Sequence, residues 1–162
     1  IGRTGTDGND TLYRAGLVPV MEPAIAVFDE ERTTMEATLA AFATGKIKAC
    51  SDLGAAGIGA AVCESARYGG LGARIELDKV PLRDEEVSPE EIFICESQGR
   101  MLLQVEAEHV TSVLAAIASK NGLAAVIGEI TADDFSTFTH NGELIATIPN
   151  NPPAEMLQEL EK

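Results

Sequence analysis

The stretch Ile47–Lys48–Ala49–Cys50–Ser51–Asp52–Leu53–Gly54–Ala55–Ala56–Gly57–Ile58–Gly59 decides how this chain is read. Ile47 to Cys50 is a short apolar run with strand character, and Ser51–Asp52 follows it. Glycines among small residues then punctuate the chain. A helical segment, roughly Ile58 to Tyr68, closes on Gly69–Gly70. A strand passing through a Gly-rich turn into a helix is the pattern of a mixed αβ unit. Glycines let the backbone come close to a ligand. The first turn of the helix offers free N–H groups at the positive end of a dipole, which suits an anion. Asp52 is a candidate magnesium ligand, because hard cations take carboxylate oxygens. The competing reading is a tight strand-to-helix turn with Asp52 as helix cap.

Upstream, the first 23 residues are punctuated by Gly and Pro. Val18 to Val27 has a strand-like look, but Pro19 and Pro23 confine any strand there to an edge or a short piece. A helix follows, with Thr33 or Thr34 as cap, Met35, Leu39 and Phe42 at helical spacing, and Gly45 placed to end it. Downstream, Ala73 to Leu77 alternates with period two and predicts a strand. Ser88–Pro89–Glu90–Glu91 predicts a helix start: a Ser cap, Pro at the first helical position and Glu three after the cap. Met101 to Val105 reads as a strand. Glu106 to Lys120 reads as a helix with the apolar stripe Val110, Val113, Leu114 and Ile117, ended by Asn121–Gly122. Ala124 to Ile130 reads as a strand. Phe135 to Thr139, the turn His140–Asn141–Gly142 and Glu143 to Ile148 read as a hairpin, with Asn-Gly as the turn signal. From Pro149 the chain is Pro-rich, then polar with helical character. This order predicts one α+β domain over residues 1–148, a mixed β-sheet flanked by helices, with 149–162 as a tail or linker.

Composition narrows the function. The length of 162 residues fits one domain, and 45% hydrophobic residues can build a core. The net charge of −14 repels phosphate backbones and anionic membrane surfaces, so nucleic acid and membrane are excluded as partners. No apolar run approaches the roughly 20 residues that span a bilayer. With five Phe, two Tyr and no Trp, the core must come from Ala, Val, Ile and Leu. Cys50, Cys63 and Cys95 show no CxxC spacing and read as reduced, mostly buried thiols of a cytoplasmic protein. The chain starts at Ile1 rather than Met, which reads as a fragment of something longer.

Several catalytic motifs are absent. Gly45–Lys46 is followed by Ile47, which lacks the hydroxyl that a phosphate loop uses on magnesium. There is no GxGxxG after a strand and no HExxH. His109 and His140 read as ordinary surface or half-buried histidines, and no Ser-His-Asp set can be assembled. No catalytic residue is therefore assigned in this chain. Glu96–Ser97–Gln98 is a different kind of signal. A carboxylate, a hydroxyl and an amide side by side between two apolar runs form a donor–acceptor set for a polar ligand; the alternative is a polar helix-to-strand turn. Arg3–Thr4–Gly5–Thr6–Asp7–Gly8 reads as a flexible loop with an Asp.

Taken in order, Thr4–Gly5–Thr6–Asp7–Gly8, Asp52–Leu53–Gly54–Ala55–Ala56–Gly57, Asp78–Lys79–Val80–Pro81–Leu82–Arg83, Glu96–Ser97–Gln98 with Arg100–Met101, and Val126–Ile127–Gly128–Glu129–Ile130 resemble phosphoribosylformylglycinamidine synthase, the ATP-using large subunit of a purine-biosynthesis enzyme. The resemblance implies a ligase that converts formylglycinamide ribonucleotide, ATP and glutamine-derived ammonia to the amidine, ADP and phosphate. It places the chain in a superfamily with aminoimidazole ribonucleotide synthase, whose members pair an N-terminal ATP-binding domain with a C-terminal-type domain like this one. Carried over by position, Asp52 is a magnesium ligand, and Glu96, Ser97 and Gln98 contact substrate. The cofactor implied is Mg2+, with ATP as co-substrate. The partners implied are the N-terminal domain of the same parent chain, a glutaminase subunit supplying ammonia, and a second copy through the sheet domains. The family's catalytic His lies on the other domain, so this chain alone is expected to be inactive. Pro19 and Glu22 stand where the family has Gln and Asp, and Gly99 stands where an acid follows. Residues 9–17 are shorter than the family segment. These departures bear on substrate rather than fold. They leave as alternative a superfamily relative with another substrate, selenophosphate synthase- or thiamine phosphate kinase-like, or a non-catalytic assembly domain.

Overall fold

The structure is a computed structural model that describes residues 1–151. The decisive stretch folds as strand β1 (Ile47–Asp52), followed by the Gly-rich turn and helix α3 (Gly57–Gly69). Two helices precede it, α1 (Asp10–Arg14) and α2 (Phe28–Ala43). After it come β2 (Gly72–Glu76), α4 (Pro89–Ile94), β3 (Met101–Val105), α5 (Val110–Ala118), β4 (Gly128–Thr131), β5 (Phe135–His140) and β6 (Glu143–Pro149). The α+β class predicted from the sequence holds, but the strands form two sheets rather than one. β1 and β3 make an antiparallel pair in which Cys50 faces Leu103 and Asp52 faces Met101. The second sheet has the order β4-β2-β5-β6 and is mixed, since β2 runs parallel to β5 and antiparallel to β4.

Local signals account for much of this. α4 begins on Ser88 with a complete capping box: Ser88 Oγ accepts the Glu91 N–H, and the Glu91 carboxylate accepts the Ser88 N–H. The β5–β6 turn places Asn141 and Gly142 at φ 49° and 81°, the left-handed pair that a tight hairpin requires. The main core joins α3, β2, α4 and β5 through Ile58, Val62, Ile75, Ile92 and Phe138. Phe138 is fully buried and tilts against Phe93 at 4.6 Å between ring centroids. A second cluster packs Ala37 and Ala41 of α2 against Val113 and Ile117 of α5.

Helix α2 differs from its sequence reading. It starts at Phe28 rather than at Thr33 or Thr34, and no side chain caps it. Its buried face is Thr34, Ala37, Thr38 and Ala41, while Met35, Leu39 and Phe42 are 60%, 65% and 47% exposed. Small residues win the inward face because α5 and the Gly122 turn come close; a Cβ on Gly122 would overlap that of Ala37. Val18–Val27 forms no strand. Asn9 takes its backbone instead, donating to the Val20 carbonyl at 3.3 Å and accepting from Glu22 N–H at 2.7 Å. Of Ala124 to Ile130, only Gly128 onward pairs as strand. Residues 107–109 are a 3-10 turn, so α5 is shorter than Glu106 to Lys120. Cys95 is buried and Cys63 half-buried, but Cys50 lies on the outward face of β1 and is exposed. β6 ends at Pro149, and Asn150 is buried against Ser136, so the sheet extends to where the tail was expected. The helical tail predicted beyond that point falls on residues 152–162, outside the described residues.

Candidate functional site

Asp52 is the last residue of β1 and is exposed. It borders a cavity of about 300 Å3 together with Glu31, Met35, Gly99 and Met101. No hydrogen bond or ion pair within the described residues occupies its carboxylate, and it does not cap α3. A larger cavity, about 1110 Å3, lies against β2 and β3 and is mainly apolar; none of Asp52, Glu96, Ser97 and Gln98 lines it. Of those four residues only Asp52 borders the smaller cavity, which Arg100 also lines. That cavity's Glu31 Oε1 is buried without a hydrogen-bond partner among the described residues.

The cap of α3 comes from elsewhere in the chain. Ala56 precedes the helix in the left-handed region, at φ 55°. Its N–H donates to Glu96 Oε1 at 3.1 Å, and the same oxygen accepts the Thr11 hydroxyl at 2.6 Å. Glu96 thus places a negative charge at the helix start, where the dipole favours it. Gly57 allows the approach: a Cβ there would overlap the Cys95 carbonyl. Gly8 does the same on the opposite side, because a Cβ there would lie 2.7 Å from the Glu96 carbonyl carbon, and Glu96 N–H donates to the Gly8 carbonyl at 2.7 Å. The Gly-rich turn, the 96–98 segment and the N-terminal loop therefore meet at one place.

The three side chains of the 96–98 segment have different situations. Gln98 is exposed, and its amide makes no hydrogen bond within the described residues. Ser97 is buried, and its hydroxyl is saturated inside the protein: it accepts Gly5 N–H at 3.0 Å and bonds Asp7 Oδ1 at 2.9 Å. Its hydroxyl is not available to a ligand as the structure stands. Asp7 is the hub of that network. It also accepts Ile25 N–H at 2.6 Å and pairs with Arg83. Burial acts to raise the Asp7 pKa, but the Ile25 N–H, Arg83 and Ser97 outweigh it and hold the carboxyl below its ordinary value. Asp84, bonded by the Thr6 N–H and by Arg83, is lowered as well.

Arg100 completes the construction. It is buried at 3% exposure, and its guanidinium donates to the Ser97 carbonyl at 2.7 Å, the Thr4 hydroxyl at 3.0 Å, the Leu53 carbonyl at 3.3 Å and the Cys95 carbonyl at 2.5 Å. Burial pulls its pKa down to about 10, which leaves it charged at neutral pH. The roles of Asp7, Thr11, Arg83 and Arg100 escaped the sequence reading. Their partners lie 76 to 96 positions away in the cases of Arg83–Asp7, Thr11–Glu96 and Arg100–Thr4, and no local pattern marks such pairs.

The fold and its geometry define an α+β domain in which the C-terminal end of one strand meets the segment that leads into its antiparallel partner. The chain belongs to the family described as AIR synthase related protein, C-terminal domain, whose model matches residues 4–141. It is 44% identical over 129 residues to the phosphoribosylformylglycinamidine synthase subunit PurL of Methanosarcina acetivorans, a match covering 78% of this chain and 18% of that protein. It is 42% identical over 158 residues to the PurL subunit of Streptomyces avermitilis, covering 91% of this chain and 21% of that one. The chain therefore spans about a fifth of the length of these relatives. Among solved structures it superposes on T. maritima PurL complexed with FGAR with a TM-score of 0.81 and 27% identity, over 92% of this chain and 26% of that one. The same protein has been solved in complex with ATP. The likeness to E. coli HypE, a hydrogenase maturation protein, is one of fold, with a TM-score of 0.60 at 20% identity over 96% of this chain and 49% of that one.

Proposed function

We propose that this chain is the C-terminal-type domain of a phosphoribosylformylglycinamidine synthase, acting within a larger ligase of purine biosynthesis. The observation that carries the reading is the convergence of the Asp52 strand end and the Glu96–Gln98 segment around one Gly-rich turn, joined by the bond from Ala56 N–H to Glu96. The PurL relatives and the FGAR and ATP complexes of the T. maritima protein supply the substrate class. In this reading the free Gln98 amide hydrogen-bonds the formylglycinamide ribonucleotide. Glu96 orders the turn and offers its second carboxylate oxygen. Ser97 contributes through its backbone and its place in the network.

Asp52 fits one position of a magnesium site. It is a hard oxygen donor, exposed at a cavity and without a partner among the described residues, and Mg2+ takes few carboxylates and fills its remaining positions with water and phosphate oxygens. When bound, the ion supplies charge neutralisation for phosphoryl transfer. The chain's own residues bind and orient; positioning of this kind carries much of the catalysis in phosphoryl transfer. The rest of the activity falls to an N-terminal ATP-binding domain of the parent chain, with a glutaminase partner as the ammonia source. The full-length protein is expected to release ADP only when formylglycinamide ribonucleotide, ammonia and magnesium are all present, and this chain alone is expected to release none. Turnover by this chain alone, or a full-length protein indifferent to the ribonucleotide, overturns the reading.

A further inference from the structure

We infer that Arg100 is a positioning residue for both halves of the candidate site: its guanidinium ties the end of β1, which presents Asp52, to the segment that presents Glu96 and Gln98. The geometry is specific to a planar fork. One nitrogen reaches the Leu53 carbonyl, immediately after Asp52, and also the Cys95 carbonyl, immediately before Glu96. A second holds the Ser97 carbonyl, immediately before Gln98, and the third holds the Thr4 hydroxyl in the N-terminal loop. The backbone of Arg100 adds a further link, since its carbonyl accepts Leu53 N–H at 3.2 Å.

These hydrogen-bond partners are three carbonyls and a hydroxyl, with no carboxylate among them. A buried guanidinium with no acid partner among the described residues is costly to desolvate, and a Leu or Met would fill the space more cheaply if packing were the whole purpose. What the guanidinium provides instead is directional contact with three chain segments at once. Lysine has three donors on one nitrogen and cannot span these acceptors. The fork therefore sets the distance between a metal-ligand position and a substrate-contact position that are 46 residues apart in sequence, counting from Asp52 to Gln98. At 3% exposure, Arg100 acts through the segments that it holds.

The inference rests on the ligand reading above, so the experiment separates the two. In the full-length protein that contains this chain, Arg100→Lys, Gln98→Ala and the double variant are compared with the unsubstituted protein. The readouts are KM for formylglycinamide ribonucleotide, the magnesium concentration at half-maximal rate, and the thermal midpoint. Arg100→Lys is expected to raise both KM and the magnesium requirement about tenfold, the scale of a lost hydrogen bond to a charged group. Gln98→Ala is expected to move KM alone. In the double variant the KM effect should fall short of the product of the single effects, because Gln98 is already displaced. A lower midpoint with KM and magnesium requirement unchanged overturns the inference and leaves Arg100 structural. If Arg100→Lys does not fold, Thr4→Val removes one arm of the clamp and is read the same way.

If the unsubstituted protein does not turn over this ribonucleotide, the ligand reading fails and the clamp is judged by amide hydrogen exchange. Arg100→Lys is then expected to lose protection at Leu53 and Ala56 while β5 and β6 keep theirs. Unchanged protection at both amides overturns the clamp.

Discussion

Glu96 Oε1 accepts the backbone N–H of Ala56 at 3.1 Å, across 40 positions of sequence. Ala56 is one of three non-glycine residues with positive φ among those described, the others being Asn121 and Asn141. Alanine lacks the polar side chain that lets Asn visit this region, so the conformation has to be held from outside. The Glu96 carboxylate does this, with the Thr11 hydroxyl on the same oxygen. Glu96→Ala should therefore cost about 1–2 kcal/mol of stability, the range for a lost helix cap. Glu96→Gln keeps an acceptor and should lose clearly less. Urea unfolding of the three proteins decides the matter, and equal losses in both variants would argue against the cap.

Gly57 and Gly45 both have positive φ, 54° and 68°, but their surroundings differ. A Cβ at Gly57 would overlap the Cys95 carbonyl, whereas nothing lies within 4 Å of one at Gly45. Gly45→Ala should cost about 1 kcal/mol, the backbone strain alone. Gly57→Ala adds a clash between the Gly-rich turn and the segment before Glu96, and should cost about 3 kcal/mol or more. Denaturant midpoints of the two variants test the ordering.

Asp7 and Asp84 make acid stability predictable. Both carboxyls titrate below their ordinary values in the folded chain: at Asp7 the Ile25 N–H, Arg83 and Ser97 overcome the opposing effect of burial, and at Asp84 the Thr6 N–H leads. A group whose folded pKa is depressed adds stability that is complete above its unfolded pKa, near pH ~4 for Asp, and is lost as pH falls through the folded value. Stability should hold from neutral pH down to about pH 5 and fall steeply below about pH 4. Asp7→Asn should be weaker at neutral pH and show a shallower acid slope. Unfolding free energies measured from pH 7 to 2 would count against Asp7 if the two curves ran parallel.

Ser97 and Gln98 are neighbours with opposite duties. The Ser97 hydroxyl bonds Gly5 and Asp7 in the interior, so Ser97→Ala should destabilise by about 1–3 kcal/mol. Gln98 is exposed and unbonded within the described residues, so Gln98→Ala should leave stability within about 0.5 kcal/mol. In the full-length protein Gln98→Ala should raise the ribonucleotide KM several-fold, the effect of one lost hydrogen bond. Thermal melts and KM values of both variants should thus move in opposite columns; a destabilised Gln98→Ala with unchanged KM would remove it from the site.

The elements with local signals were open to sequence reading. Ser88 and Glu91 marked the start of α4, Asn141–Gly142 marked the β5–β6 turn, and Gly54 to Gly59 marked the passage from β1 to α3. The motif order from Thr4 to Ile130 pointed to the family whose model matches residues 4–141. Each of these depends on residues within a few positions of one another, where backbone geometry and capping act directly.

Tertiary structure decided what lies beyond that range. Periodicity placed Met35, Leu39 and Phe42 on one stripe of α2, but only packing against α5 determined that the alanine and threonine face turns inward. Two prolines made Val18–Val27 ambiguous, and the side chains of Asp7 and Asn9 settled it by taking the backbone groups a strand would have used. The Ser97 hydroxyl looked free for a ligand in sequence and is closed off by Asp7, 90 positions away. The sequence by itself determined which residues carry polar chemistry and which local turns present them. Which of those groups stay free for a ligand was decided only when distant segments met, because a buried donor or acceptor must find a partner wherever the chain brings one.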